Sequence, residues 1–231
     1  YYEHNLRQRG EQILARLKAG ESCALVTDAG TPAISDPGEE LVKMAYEAGI
    51  EVTSLPGACA CVTALTLSGL STRRFVFEAF LPPDKKEHKL ALERLKNETR
   101  TMIVYEAPHH LLKTLRELLE TLGNRRLTLC RELTKKHETA WQTTIEDAIT
   151  RYEQEDPKGE CVLVIEGRSQ KEIEDEAKAA FEEISIEEHM KRYEDQGIAR
   201  KEAMKLVAKD RGVTKRDIYQ YLLGKESYND F

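Results

Sequence analysis

No stretch of this chain approaches the ~18–20 consecutive apolar residues that a membrane-spanning helix requires. Residues 1–10 are polar and charged, so no secretory leader is read there. Cysteine is scarce and poorly placed for a metal. The five, Cys23, Cys59, Cys61, Cys130 and Cys161, are an odd set, and no histidine pair stands beside Cys59 and Cys61 to complete a zinc site. Four of them lie in apolar or small-residue stretches, which reads as reduced, buried thiols of a cytoplasmic protein. Absent too are G-x-S-x-G, a Walker loop and H-E-x-x-H, and with them the common hydrolase, P-loop and zinc-protease chemistries. An excess of positive charge is also missing: the formal charge is −6 over 231 residues. Nucleic-acid-binding domains often carry a broad positive field, so an RNA partner would have to be met by local basic clusters.

What is present suffices for real cores. Hydrophobic residues make up 40% of the chain and charged residues 33%, an ordinary balance for one large domain or two small ones. Residues 5–19 carry Leu6, Ile13, Leu14 and Leu17 as a helical stripe ended by Gly20. The apolar run at 23–26 then halts at a turn, which predicts a buried parallel strand opening into a loop. Leu41, Val42, Met44 and Ala45 mark the next helix, closed by Gly49. "EVTSLPG" repeats strand-then-loop, and the small apolar "ACACVTALTLSGL" predicts a tightly packed helix. Two successive strand–loop–helix units predict a doubly wound α/β domain over 1–74. Because Tyr1 is not a methionine and stands at the approach to a helix, the chain reads as a piece of a longer protein.

From Phe75 the pattern changes. "RFVFEAF" alternates as a strand, "LPPDKK" breaks it, and 87–97 is a charged helix. "TMIVYEAP" predicts a strand ending in a proline loop, and 110–122 a helix. "RRLTLCREL" and "GECVLVIEG" predict two further strands around a polar helix at 144–153. These form a second α/β domain, 75–168. Residues 169–185 are acidic and repetitive, a solvated linker or exposed helix, and 186–231 a compact helical tail. In the tail Thr214 is a candidate N-cap, and Leu206, Val207, Ile218 and Leu222 a candidate core. The turn at Gly212 gives a helix-turn-helix appearance. Lys201, Lys205, Lys209, Arg211, Lys215 and Arg216 suit phosphate neutralisation, yet the interleaved acids leave packing or a dimer contact equally open.

Chemistry concentrates at the strand ends. "TDAGTPAISDPG", 27–38, sets glycines, prolines, aspartates and small hydroxyls directly after a strand. Ligands in open α/β sheets sit at such carboxyl ends. Gly30 lets a backbone approach without a Cβ, and Asp28 or Asp36 suits a ribose hydroxyl or an amine. The same residues also read as a tight loop in which Ser35 or Asp36 caps the next helix. "LPGACA", 55–60, either floors a pocket for a flat adenine or lets its helix pack closely. "YEAPHH", 105–110, offers an aromatic, a carboxylate and two histidines, His109 and His110, which alone read as surface residues of a helix start. "CRELTKKHE", 130–138, brings Arg131, Lys135, Lys136 and His137 to a strand end, to meet phosphates or as a solvated face.

In this order and at these intervals, "DAGTPAISDPG", "LPGACA", "FEAFLPP", "YEAPHHL", "RELTKKHE" and "GECVLVIEG" resemble the bacterial small-subunit ribosomal RNA cytidine 2′-O-methyltransferases, over residues 1–167. That family is similar in fold to the tetrapyrrole methylases, two α/β domains holding S-adenosylmethionine in the cleft between them, typically as homodimers. The resemblance implies the same fold and cofactor here, with small-subunit ribosomal RNA or the assembled subunit as partner. It implies that Gly30, Thr31 and Ile34 touch the cofactor. Residues 58–60, with Ala58 and Ala60, close over its other side together with Tyr105 and Glu106. Arg131 and Glu132 fall in the cleft, and Lys135, Lys136 and His137 nearer the RNA. Family members begin with a further strand and a proline- and glycine-containing loop, so 1–74 reads as an incomplete domain, its missing first strand carrying part of the cofactor site.

Methyl transfer needs an in-line approach of the accepting oxygen, so positioning supplies much of the rate. A ribose hydroxyl is weakly acidic, and a base assists by taking its proton; Glu106, His109 and His137 are the candidates. Two other readings stay open. One is a sister methyltransferase acting on a tetrapyrrole or other small substrate. The other is a non-catalytic nucleic-acid-binding module.

Overall fold

The computed structural model describes residues 6–226; positions 1–5 and 227–231, the first residue of the first expected helix and the end of the tail among them, lie outside the described residues. The chain divides into two compact units, Tyr1–Gly167 and Arg168–Phe231.

The first unit is built on a five-stranded sheet. Its strands are β1 (Phe75–Phe80), β2 (Thr101–Glu106), β3 (Arg126–Arg131), β4 (Thr139–Thr144) and β5 (Cys161–Ile165), in the order β1-β2-β5-β3-β4. β1 and β2 run parallel; β5 is antiparallel to both β2 and β3, and β4 antiparallel to β3. β5, "CVLVI", is buried at all five positions, as a strand covered on both faces must be. On one face Met102, Val104, Leu127, Leu129, Leu163 and Ile165 pack against helices α4 (Lys85–Lys96), α5 (Pro108–Leu122) and α6 (Ile145–Tyr152). Leu111, Leu115, Leu118 and Leu122 supply α5's stripe, Pro108 starts it with φ already fixed, and Gly123, at φ 76°, ends it. Each fully buried leucine contributes about 1.5–3 kcal/mol.

The other face is covered from the chain's earlier part. Helix α3 (Ala60–Leu67) lays Cys61, Ala64 and Leu65 on Ile103, Cys130, Val162 and Val164. Two further helices precede it, α1 (Leu6–Lys18) and α2 (Glu39–Glu47), which meet where a Cβ on Gly10 would lie 3.1 Å from Met44 Sδ. The strands expected at 23–26 and within 51–57 do not form. A strand exists only through its hydrogen-bonded neighbours, and among the described residues these segments pair with none. Val26 and Leu55 accordingly stand 80% and 83% exposed. Neither Ser35 nor Asp36 caps α2. Its N-cap is Gly38, without a side-chain cap, and a Cβ there would press to 2.7 Å from Leu25 and 2.9 Å from Ala33. Glu39 and Glu40 in the first turn supply the negative charge that the helix start favours.

The second unit is helical. The acidic stretch is no open connector: Ser169 and Glu172 form a capping box that starts α7 (Gln170–Glu182). α8 (Ile186–Glu194), α9 (Arg200–Arg211) and α10 (Lys215–Glu226) follow, with α7 packed on α9. Gly212, at φ 67°, turns α9 into α10, whose start is fixed by reciprocal bonds, Asp217 N–H to Thr214 Oγ1 at 3.2 Å and Thr214 N–H to Asp217 Oδ2 at 2.8 Å. Val207 and Ile218 share a core with Met190, Ala203 and Ala208, and Leu222 packs on it; Leu206 is half-buried and stands outside.

His189, 1% exposed, stacks on Phe181 at 4.3 Å and Tyr193 at 5.6 Å. Arg211 Nε donates to its Nδ1 at 3.3 Å, leaving the proton on Nε2, 3.2 Å from Asp210 Oδ2. Burial first, and then the Arg211 charge, hold the imidazole below its ordinary 6.5, with Asp210 opposing. A lowered folded-state pKa means that the unfolded chain takes up the proton first as pH falls. Its stability contribution is therefore whole above about 6.5 and declines below it. Thermal melts followed by circular dichroism at a series of pH values should show the second unit losing stability as the pH drops below 6.5. A His189→Leu variant should melt with a flatter pH dependence, and an unchanged slope would show that other groups set it.

Candidate active site

Two loops of the first unit touch. In the 27–38 loop Thr27 Oγ1 donates to the carbonyls of Ala29 and Gly30, at 3.0 and 3.2 Å. Ala33 and Ser35 hold left-handed φ values of 65° and 57°, a conformation that costs about 1–3 kcal/mol per non-glycine residue and concentrates at functional loops. Thr31 Oγ1 donates to the Ala58 carbonyl at 2.8 Å, tying this loop to residues 55–59. Gly30, at φ 80°, lies under the same carbonyl, where a Cβ would sit 3.6 Å away. The expected partners Gly30, Thr31 and Ala58 are thus brought together; Ile34, 41% exposed, follows in the same loop, and Ala60 is the first residue of α3.

From Ala58 the cluster continues to the end of β2. Cys59 Sγ and Cys61 Sγ are 3.3 Å apart, and the Tyr105 hydroxyl lies beside Cys61. Phe77 and Phe80 present ring edges to Tyr105 at 4.9 and 5.7 Å. In a regular strand residues three apart face opposite sides. A bulge between Phe77 and Ala79, with Ala79 at φ 52°, restores both rings to the same face, Phe77 opposite Ile103 and Phe80 opposite Tyr105. Burial raises the Tyr105 hydroxyl and pushes the Cys61 thiol to about 11, so both stay protonated at neutral pH.

Glu106 faces the other way. It is 7% exposed, its Oε2 accepts from Thr114 Oγ1 at 2.6 Å and its Oε1 from Ala107 N–H at 2.7 Å, so it ties the end of β2 to α5. Tyr105 and Glu106, expected on one side of a cofactor, therefore stand on opposite faces of the sheet. Register places Glu106, Cys161 and Arg131 in one row across β2, β5 and β3. Arg131 Nε donates to the Lys158 carbonyl at 2.8 Å and the side chain borders Tyr152. His109 and His110 are exposed in the first turn of α5, ring centres 4.1 Å apart. His110 and Glu106 also line a groove of about 900 Å³ between α4 and α5.

The 131–138 loop is strained and tied. Glu132 and Thr134 adopt φ values of 51° and 65°. Glu132 Oε1 accepts from Glu160 N–H at 3.0 Å and from Lys135 Nζ at 3.1 Å, and Lys135 reaches Glu160 Oε2 at 2.9 Å. Gly159, at φ 76°, holds a conformation that favours glycine, and a Cβ there would displace the Glu132 side chain from its bonds. The bonds to Glu160 and Glu132 raise the Lys135 pKa. Lys136 and His137, in contrast, are exposed and make no ion pair or hydrogen bond among the described residues. Thr114, Phe77 and Phe80 were not singled out from sequence. Their roles depend on a contact eight residues from Glu106 and on a bulge, and neither leaves a motif.

The fold is that of known methyl-transferring and related enzymes. The crystal structure of the methyltransferase CobJ superposes with a TM-score of 0.53 at 20% identity over 69% of this chain and 70% of that one. Diphthine synthase superposes with 0.52 at 13% identity over 72% and 68%. The chain itself belongs to the tetrapyrrole (corrin/porphyrin) methylase family, whose model matches residues 2–149. It is 47% identical over 219 residues to the ribosomal RNA small subunit methyltransferase I of Halalkalibacterium halodurans, covering 95% of this chain and 75% of that protein. It is 43% identical over 228 residues to the protein of that name from Synechocystis sp., covering 98% and 80%. The motifs from "DAGTPAISDPG" to "GECVLVIEG" thus belong to a relationship that runs through nearly the whole chain.

Proposed function

We propose that this chain methylates small-subunit ribosomal RNA with S-adenosylmethionine as donor, at the 2′-oxygen of a cytidine ribose, working in the cytoplasm as a homodimer. The observation that carries this reading is the 38–47% identity, over nearly the full chain, to relatives that bear the small-subunit methyltransferase name. Among the described residues no helix is long and apolar enough to cross a membrane.

The joined loops fit a nucleoside sulfonium. Gly30, Gly57, Ala58 and Ala60 keep the approach free of large side chains, and Thr31 locks the two loops in register. Gly30, Thr31, Ile34, Ala58, Ala60 and Tyr105 would hold the cofactor between residues 1–74 and 75–168. Arg131, on the opposite sheet face, would act from the rim. Bound there, the sulfonium supplies an activated methyl group. The chain's part is to hold the ribose hydroxyl in line and to exclude water. Lys136 and His137 are free to meet RNA directly, whereas Lys135 fixes the loop that presents them. Of the three groups proposed as base, His109 and His137 are exposed, and Glu106 is engaged by Thr114.

The test is methyl transfer from tritiated S-adenosylmethionine to small-subunit RNA taken from cells lacking the modification. Label should enter the RNA and appear after alkaline hydrolysis in a dinucleotide, because a methylated 2′-oxygen cannot cleave the adjacent phosphodiester. Label in a tetrapyrrole instead would identify the sister activity, and cofactor binding without transfer to any RNA would remove the substrate assignment.

A further inference from the structure

With a formal charge of −6, the chain can meet RNA only where positive charge is concentrated. The α4–α5 groove does not concentrate it: its lysines, Lys85, Lys89, Lys96 and Lys113, are matched by Glu93, Glu106, Glu117 and Glu120. A groove of about 640 Å³ in the second unit does. Its lining is Arg200, Lys201 and Met204 from the start of α9, with Lys215, Arg216 and Tyr219 from the start of α10, and it contains no carboxylate.

The neighbouring acids, Glu202 beside Lys215 and Asp217 beside Arg216, take their hydrogen bonds from other residues, and Arg200 is itself partnered. Glu202 takes Lys205 Nζ at 2.8 Å, and Asp217 is held by Thr214 through Oγ1 at 2.6 Å and N–H at 2.8 Å. Lys201, Lys215 and Arg216 make no ion pair or hydrogen bond among the described residues. Cations in the first turn of a helix oppose its dipole, yet both helices begin with two of them. An anion bound between the two starts would offset that repulsion. Tyr219, 51% exposed, adds an apolar ring of the kind on which unpaired bases stack.

We propose that this groove binds the phosphate backbone of single-stranded ribosomal RNA, with Lys201, Lys215 and Arg216 neutralising phosphates and Tyr219 stacking a base. The proposal rests on the RNA reading above. It gives the helical unit the task of gripping substrate beyond the methyl-transfer site.

The test uses the full chain, a fluorescein-labelled single-stranded segment of small-subunit ribosomal RNA, and fluorescence anisotropy over roughly 50 to 200 mM salt. A Lys201→Glu/Lys215→Glu/Arg216→Glu variant should bind at least about tenfold more weakly at low salt. Its plot of log affinity against log salt should flatten by roughly 2, at about 0.7 per lost phosphate contact. Tyr219→Ala should weaken binding about tenfold with the salt slope unchanged. S-adenosylmethionine binding by calorimetry and the circular dichroism spectrum should stay as in the parent for all variants. Parental RNA affinity and slope in the triple variant would overturn the proposal while leaving the methyltransferase reading intact. Loss of affinity for assembled small subunits alone, with naked RNA bound normally, would also overturn it and assign the groove to a ribosomal protein. If the parent binds cofactor but no RNA at all, the substrate reading falls as well.

Discussion

A Glu106→Ala variant should unfold with a free energy about 2 kcal/mol below the parent, because it strands one buried donor, at ~1–3 kcal/mol, and one half-buried donor. The donors are Thr114 Oγ1, 2.6 Å from Oε2, and Ala107 N–H, 2.7 Å from Oε1. Ala107 is the N-cap of α5 and has no side-chain cap of its own, so the neighbouring carboxylate also supplies the negative charge that a helix start favours. Thr114→Val should cost about 1 kcal/mol. The double variant should cost less than the sum of the two, since each single change removes the same bond. Urea unfolding of the four proteins gives the coupling directly. The same variants separate a structural role from a chemical one. If Glu106→Ala kept the parental unfolding midpoint while methyl transfer collapsed, the carboxylate would be the base and the tie to α5 incidental.

That residue also shows how far the sequence could be read. "YEAP" announced a strand end with a ring and a carboxylate, and both are there. Adjacent strand residues, however, point to opposite faces, and nothing in the string says which face holds a ligand. Strands β2, β3 and β5 were legible because they are covered and apolar runs record that cover; β1, an edge strand with no buried position, was legible from the alternation of "RFVFEAF" instead. β4 was not: it is an edge strand, half exposed, and only Trp141, with Arg151 stacked 4.8 Å over its ring, marks "TAWQTT" as more than loop. The opposite error fell at 23–26, an apolar run, and within 51–57, where "EVTSLPG" repeats the strand-then-loop pattern; neither finds a ladder partner among the described residues. The helical unit was legible in its caps, Thr214 above all. Its cations were singled out too, Lys201, Lys215 and Arg216 among six, but the interleaved acids left packing or a dimer contact equally open, and only the fold shows which of the six line one groove.

The loop cluster at Thr31 and Ala58 invites the sharpest test, an enlargement that the fold tolerates and a ligand does not. Ala58 is exposed, and its carbonyl alone makes the tie to Thr31. An Ala58→Trp variant should therefore keep its unfolding free energy within about 0.5 kcal/mol of the parent. If the small residues of this loop floor the adenine pocket, the indole occupies the ligand's space, at an overpacking cost of about 1–3 kcal/mol. In affinity that is a loss of roughly 10- to 100-fold for S-adenosylmethionine, measured by calorimetry. Thr31→Val is the milder companion: it removes one hydrogen bond between the loops and should weaken binding by about 3- to 10-fold. Lys136→Ala, in the other exposed loop, should leave cofactor affinity unchanged. Full cofactor affinity in Ala58→Trp would show that the cofactor does not rest on residues 55–60. The search would then move to the opposite face of the sheet, where Glu106 and Arg131 stand in one row.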